Sequence, residues 1–141
     1  MQQILRTTTA VALLLSVPVH ASAKWTRLQT KNFVFIGDAS ESEIRNQAKK
    51  LEQFREVLAT VVPGAAKPSP VPTVVIVFSS QRALGPYRPQ FEGKPVEVAG
   101  YFQPGDDLNY IVVTPSPDRS TFRTIFHEYS HFIAGNAAGP L

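Results

Sequence analysis

Cysteine is absent from this chain of 141 residues, which also has only three histidines and one tryptophan. Without cysteine the protein has no disulfide, thiolate zinc finger, iron–sulfur ligand or cysteine nucleophile. A lipobox-type lipid anchor is excluded for the same reason, since the lipid is attached to a cysteine. Any catalysis therefore depends on oxygen or imidazole groups.

Clusters of basic charge are also scarce. The formal net charge is +3, and Lys49-Lys50 is the only pair of adjacent basic residues. Nucleic-acid-binding proteins concentrate Lys and Arg on one face. We therefore expect no nucleic-acid partner.

The first 23 residues have the three parts of a secretory signal peptide. Arg6 gives a short basic region, residues 10–19 form an apolar core of ten residues, and Ala21-Ser22-Ala23 is an A-x-A cleavage site. The apolar core is too short for a membrane span, which needs about 20 residues. We predict an exported protein, periplasmic or secreted, with no stable membrane span after cleavage. An uncleaved N-terminal anchor is the alternative.

Residues 24–141 are predicted to form one domain, because so short a chain does not bury two cores. Short segments rich in aromatic and β-branched residues at 25–30 and 33–37 predict a β-hairpin. The capping-box sequence at Ser40, S-x-x-E, and a helical apolar period predict an amphipathic helix over 41–61. Its predicted apolar face contains Ile44, Ala48, Leu51, Phe54, Val57, Leu58 and Val61.

The rest of the chain completes a predicted α+β domain, with helices packed on a small mixed or antiparallel sheet. The predicted elements are a proline-rich surface loop (63–72), a strand covered on both faces (73–79), a short helix (80–87), an irregular loop (88–97), two paired strands (98–103 and 108–114), a loop (115–118) and a helix (119–134) ended by Gly135-Asn136.

The predicted last helix contains the motif H-E-x-x-H at residues 127–131. Positions i and i+4 are neighbours on one helix face, so His127 and His131 can bind one cation. Two neutral imidazoles suit Zn²⁺. Glu128 can reach a metal-bound water as general base and then pass the proton to the leaving amine. These two histidines are the only ones outside the predicted signal peptide.

The two faces of this helix differ in composition. The histidines and Glu128 share an arc with the small residues Ser120, Thr124 and Gly135. This arc favours a metal site over a structural histidine pair, although an exposed polar face with no metal is the alternative. The opposite arc, predicted to face the core, contains Phe122, Ile125, Phe126, Tyr129, Phe132 and Ile133.

This motif on a helix, preceded by a strand pair, resembles the zincin metallopeptidases. The longer metzincin pattern is not met, because Ala134 and Ala137 stand where a glycine and a third histidine belong. The order W-x-x-L, N-F, a long helix, a valine-rich strand, G-Y-F and H-E-x-x-H-F-I over residues 25–135 is similar to gluzincin-type, peptidase-MA-like domains of exported bacterial proteins. The resemblance implies a zincin-like N-terminal subdomain, a Zn²⁺ cofactor and hydrolysis of a peptide or protein substrate.

The resemblance also implies a third metal ligand, a Glu on a later helix. No Glu or His follows His131, and nothing in the spacing favours an upstream carboxylate such as Asp106. In gluzincin-like domains a proline-led segment introduces the W-x-x-E-G helix that supplies this ligand. We therefore hypothesise that the sequence is an N-terminal fragment, with Pro140-Leu141 beginning that segment.

One further expectation follows from the resemblance. In zincins an edge strand before the motif helix pairs with the substrate backbone, and Ala99, Gly100 and Tyr101 occupy the matching place. Such β-augmentation uses main-chain hydrogen bonds, although an ordinary core strand is the alternative.

The competing function is a non-catalytic exported binding or assembly domain that retains the fold.

Overall fold

A computed structural model describes residues 24–115 and 119–138. The predicted signal peptide, most of the predicted loop at 115–118 and Pro140-Leu141 lie outside these residues. No helix in the two described ranges is long and apolar enough to cross a membrane. The elements are β1 (Thr26–Gln29), β2 (Phe33–Gly37), α1 (Glu41–Val61), β3 (Thr73–Val77), α2 (Gln81–Leu84), a 3₁₀ turn (Gly85–Tyr87), β4 (Gln90–Phe91), β5 (Lys94–Pro95), β6 (Gly100–Gln103), β7 (Asn109–Val113) and α3 (Arg119–Ala138).

Five strands form one mixed sheet in the order β1-β2-β3-β7-β6. The three central strands are parallel, and β1 and β6 pair antiparallel with their neighbours. Both predicted hairpins and the mixed α+β class are therefore confirmed. The apolar run in β3 reflects its central place, since parallel strands are usually covered on both faces. The predicted cover on both faces is therefore complete on one face only, because Val74 and Ile76 on the other face are half-buried.

Helix α1 begins and ends where the sequence predicts. The Ser40 hydroxyl accepts a hydrogen bond from the Glu43 N–H, and the Glu43 carboxylate accepts one from the Ser40 N–H at 2.9 Å. The Glu43 carboxylate also accepts a hydrogen bond from the Ser40 hydroxyl at 2.6 Å, and this bond and the one from the Ser40 N–H lower the pKa of Glu43. The predicted apolar face is wrong at its C-terminal end, because Val57 and Val61 are 61% and 68% exposed.

Helices α1 and α3 pack on the same face of the sheet. Inward side chains of the three parallel strands meet buried residues of both helices. This shared core fixes how α3 is rotated about its axis, and so fixes which residues α3 exposes. The core includes Phe33, Phe35, Ile44, Leu51, Val75, Val77, Ile111, Val113, Ile125, Tyr129 and Ile133.

The segment 88–97 is not the irregular loop that the sequence predicts. It contains a small antiparallel ladder in which Gln90 pairs with Pro95 and Phe91 with Lys94. The turn between them, Glu92-Gly93, has positive φ angles of 50° and 74°. Positive φ at both central residues matches the twist of a tight hairpin. Strands of two exposed residues have too little apolar alternation to be detected from sequence.

The predicted end of α3 at Gly135-Asn136 is also wrong, because the helix continues to Ala138. Gly135 does not adopt the left-handed conformation of a helix-ending glycine; the described glycines with positive φ are Gly64 and Gly93. The final turn packs against the loop after α1, since a Cβ on Gly64 would lie 3.3 Å from the Ala137 Cβ. This tertiary contact outweighs the local stop signal.

Replacing Gly135 by alanine is expected to stabilise the protein by about 0.5–1 kcal/mol, because alanine loses less backbone entropy in a helix. A Cβ at this position meets nothing within 4 Å. Urea unfolding measures the change. Gly64→Ala is the control and should destabilise, since Gly64 has φ +81° and is close to Ala137. A loss of stability in Gly135→Ala would show that the glycine ends the helix.

Candidate metal centre

The two histidines of the motif lie one turn apart on α3, and their rings converge. The Nε2 atoms of His127 and His131 are 3.2 Å apart. The ring planes are inclined at 85°, and both residues are exposed. Glu128, between them in sequence, is exposed as well.

This geometry fits two ligands of one tetrahedral zinc ion. With Zn–N bonds of 2.0–2.1 Å, two imidazole nitrogens on a tetrahedral ion are about 3.3 Å apart. The observed separation of the Nε2 atoms, 3.2 Å, needs almost no adjustment. The same separation suits a hydrogen bond between a protonated and an unprotonated ring nitrogen. The two histidines can therefore bind one zinc ion or form a hydrogen bond between their rings.

Core packing holds the histidines outward. Tyr129, inside the motif, is almost fully buried, and its ring lies 5.7 Å from the rings of both Phe33 and Phe102. Burial raises the pKa of Tyr129. Ile125 and Ile133, one turn before and after, are buried on the same side. The arc with the histidines therefore faces away from the sheet.

One flank of the histidine pair faces strand β6. The Phe102 ring lies 5.7 Å and 5.8 Å from the rings of Tyr129 and Phe132. At 3.6 residues per turn, Glu128 lies between His131 and Phe132 around the helix. Glu128 is thus on the side of the histidines nearer β6.

Strand β6 is an edge of the five-stranded sheet, and among the described residues only β7 pairs with it. The Ala99 carbonyl accepts a hydrogen bond from the Thr114 N–H at 3.3 Å. Because pairing alternates in an antiparallel ladder, Tyr101 is bonded to β7 while Gly100 and Phe102 direct their backbone groups to the open edge. Of the three predicted substrate-binding residues, Gly100 therefore directs its main-chain groups to the open edge, whereas Tyr101 and the Ala99 carbonyl are bonded on the β7 side.

Tyr101 and Gly100 also have side-chain or packing contacts. The Tyr101 hydroxyl donates a hydrogen bond to the Tyr87 carbonyl at 2.7 Å. Gly100 itself is required by close packing, since a Cβ there would lie 2.6 Å from the Val112 carbonyl oxygen and 3.1 Å from Ile125. A proline at Gly100 would strain the sheet as well as remove a donor, so it is a poor probe of substrate pairing.

The other flank of the histidine pair borders an open groove between α1 and α3, about 960 Å³ in volume. Phe54 and Phe126 stack at 4.1 Å in its floor, and the Lys50 ammonium lies 5.1 Å from the Phe122 ring centre. No acidic residue in the described part of the chain lines it. The lining comprises Lys50, Gln53, Phe54, Val57, Leu58, Arg119, Phe122, Arg123, Phe126, His127 and Ser130.

This groove is not predicted from the sequence, because the aromatic residues of both helices are expected in the core. The sequence did contain a signal for the groove, since α1 has more apolar positions than it buries. Helix α1 has seven predicted apolar-face residues, yet only four of them are fully buried: Ile44, Ala48, Leu51 and Leu58. The other three, Phe54, Val57 and Val61, lie toward the C-terminal end of α1 and line the groove or face solvent.

A third metal ligand is not found in the two described ranges. They contain no group of three His, Cys, Asp or Glu side chains that could hold an ion. Asp106 lies in the turn between β6 and β7 and forms no such group with the two histidines. The third ligand stays a prediction.

Comparisons with known proteins leave the family unassigned. No protein-family model, curated protein or solved structure matches this chain.

Proposed function

We propose that this protein is an exported, zinc-dependent metallopeptidase of zincin type. The observation that supports this most is the 3.2 Å separation of the His127 and His131 Nε2 atoms on an exposed helix face. Glu128 on the flank nearer β6 supplies the acid–base group that the reaction needs. The small residues around the histidines leave room for a substrate above them.

Each residue has a distinct role in the proposed reaction. His127 and His131 hold the ion through Nε2, and a third ligand comes from outside the described residues. When bound, zinc supplies Lewis-acid polarisation of the scissile carbonyl and of the attacking water. The Glu128 carboxylate accepts a proton as the water oxygen bonds to the carbonyl carbon. It then delivers this proton to the amine nitrogen as the C–N bond breaks.

The proposed activity is tested on a mixed-sequence peptide library with the full-length protein. We expect cleavage that is lost with a chelator and restored by Zn²⁺, and lost in His127→Ala. Cleavage sites read by mass spectrometry define the substrate. Chelator-resistant cleavage, or full activity in His127→Ala, would show that the metal is not the catalyst.

The open edge of β6 is the proposed binding site for the substrate backbone. With Glu128→Gln holding a cleavable peptide intact, the Gly100 and Phe102 amides should gain protection from hydrogen exchange. The Tyr101 and Gln103 amides, already bonded to β7, are internal controls and should not change. No added protection at Gly100 and Phe102 under saturating peptide would refute substrate pairing with this strand.

The α1–α3 groove favours a second candidate function, a non-catalytic binding domain. Its apolar floor and its cationic rim of Lys50, Arg119 and Arg123 complement an acidic amphipathic segment of a partner protein. Such a helical peptide should bind with an affinity that falls with salt, whereas a charge-reversed peptide should not bind. Equal binding of both peptides would contradict this function.

A further inference from the structure

Helix α1 buries a cation that no anion neutralises within the described residues. Arg55 is 4% exposed and lies beneath the proline-rich loop that follows the helix. Its guanidinium donates to two neutral acceptors, the carbonyl of Ala65 and, at 2.8 Å, the carbonyl of Lys67. Among the described residues it forms no ion pair. A guanidinium does not deprotonate in proteins, so the buried charge persists.

Glu52, one turn before Arg55 on α1, has a carboxylate that is bonded to other groups. Its carboxylate accepts hydrogen bonds from the Asn32 N–H at 2.9 Å and from Asn32 Nδ2 at 2.6 Å. These bonds hold the Glu52 carboxylate to the turn between β1 and β2. A buried charge that no anion neutralises is strongly unfavourable, so a site beside Arg55 favours an anion.

A cavity of about 200 Å³ adjoins Arg55 and is lined by polar groups. Among the described residues, Arg55 Nε and the Thr73 hydroxyl have no partner with full hydrogen-bond geometry, although both side chains lie close enough to the Tyr129 hydroxyl to act on its pKa. Thr73 is 2% exposed. Both residues line this cavity, together with Tyr129 and Lys31. Buried polar groups without partners are rare in folded proteins and indicate an absent ligand or water.

We propose that this cavity binds a small oxyanion, with phosphate, sulfate and carboxylate sharing the required chemistry. Arg55 provides the charge, the Thr73 hydroxyl donates a hydrogen bond, and Lys31, an exposed residue of the cavity lining, adds a second cation. Glu52 is not among the residues that line the cavity. The ion would lie against Tyr129, on the inner side of the helix that contains the two histidines, and would tie α1, β3 and α3 together.

The test follows the arginine Nε–H signals of the ¹⁵N-labelled full chain during titration with phosphate, sulfate or acetate at constant ionic strength. We expect one signal, assigned by its loss in Arg55→Met, to shift saturably. Arg45 is the matched control, since it is exposed on the same helix and paired with Glu41 at 2.6 Å. Its signal should not shift. Comparison of the three anions separates tetrahedral from planar ligands.

A second variant keeps the test decisive if Arg55→Met fails to fold. Thr73→Val preserves the shape of the side chain and should weaken anion binding about tenfold, as loss of a buried hydrogen bond to a charged group does. Absence of any saturable shift at Arg55 would show that only water fills the cavity. Equal shifts at Arg45 and Arg55 would show non-specific charge screening. Either result would overturn the proposal.

Discussion

Replacing Glu128 by glutamine is expected to abolish peptide hydrolysis and to leave zinc binding intact. Glutamine has the same shape but cannot accept the proton of the attacking water. General-base catalysis typically contributes 10²–10⁴-fold, so kcat should fall by about this factor. Glu128 is exposed, so the substitution should not affect folding.

The measurement compares kcat/KM and bound zinc for the wild type and the variant, using a peptide found in the library screen. Glu56→Gln is the matched control, because Glu56 is exposed on α1 and is not among the motif residues. It should retain full activity. Wild-type turnover in Glu128→Gln would rule out Glu128 as the base. Loss of zinc together with activity would assign Glu128 to metal binding instead.

Replacing Gly37 by alanine is expected to prevent stable folding. Gly37 ends β2 and pairs with Val77 of the central strand β3. A Cβ there would lie 2.0 Å from the Val77 carbonyl oxygen and 2.8 Å from its carbon. These are backbone atoms of a buried strand and cannot move aside as a flexible side chain does. We expect a loss above about 4 kcal/mol, against a typical domain stability of 5–15 kcal/mol.

Gly85→Ala provides the control for this substitution. Gly85 follows α2 with φ −43° and ψ −52°, and a Cβ there meets nothing within 4 Å. Thermal unfolding followed by circular dichroism should show a midpoint near that of the wild type for Gly85→Ala. The Gly37→Ala chain should show little cooperative transition. A wild-type midpoint in Gly37→Ala would contradict the close approach of β2 and β3.

Features determined by neighbouring residues were predictable from the sequence. The start of α1 follows from the Ser40–Glu43 capping box, and the convergence of the His127 and His131 rings follows from the i, i+4 spacing on a helix. Both hairpins have short connections that favour antiparallel pairing. In each case the interacting groups lie within a few residues, so local propensity and geometry determine the outcome.

Features determined by distant residues were not predictable. The order of the strands, the continuation of α3 past Gly135 and the burial of Arg55 depend on contacts between segments far apart in the chain. The exposure of Val57 and Val61 depends on which part of α1 the rest of the fold covers, and the apolar periodicity of α1 does not specify that part. The prediction of a third metal ligand rests on the family resemblance, because no residue in the described ranges joins the two histidines.

Zinc titration followed by ¹⁵N NMR of the histidine rings tests the central claim most directly. The account predicts that the Nε2 signals of His127 and His131 shift together and saturate at one equivalent of Zn²⁺. Glu128→Gln should show the same response, because that residue is not a ligand. If neither ring responds to zinc, or if the two rings bind separate ions, the histidine pair is not a metal centre.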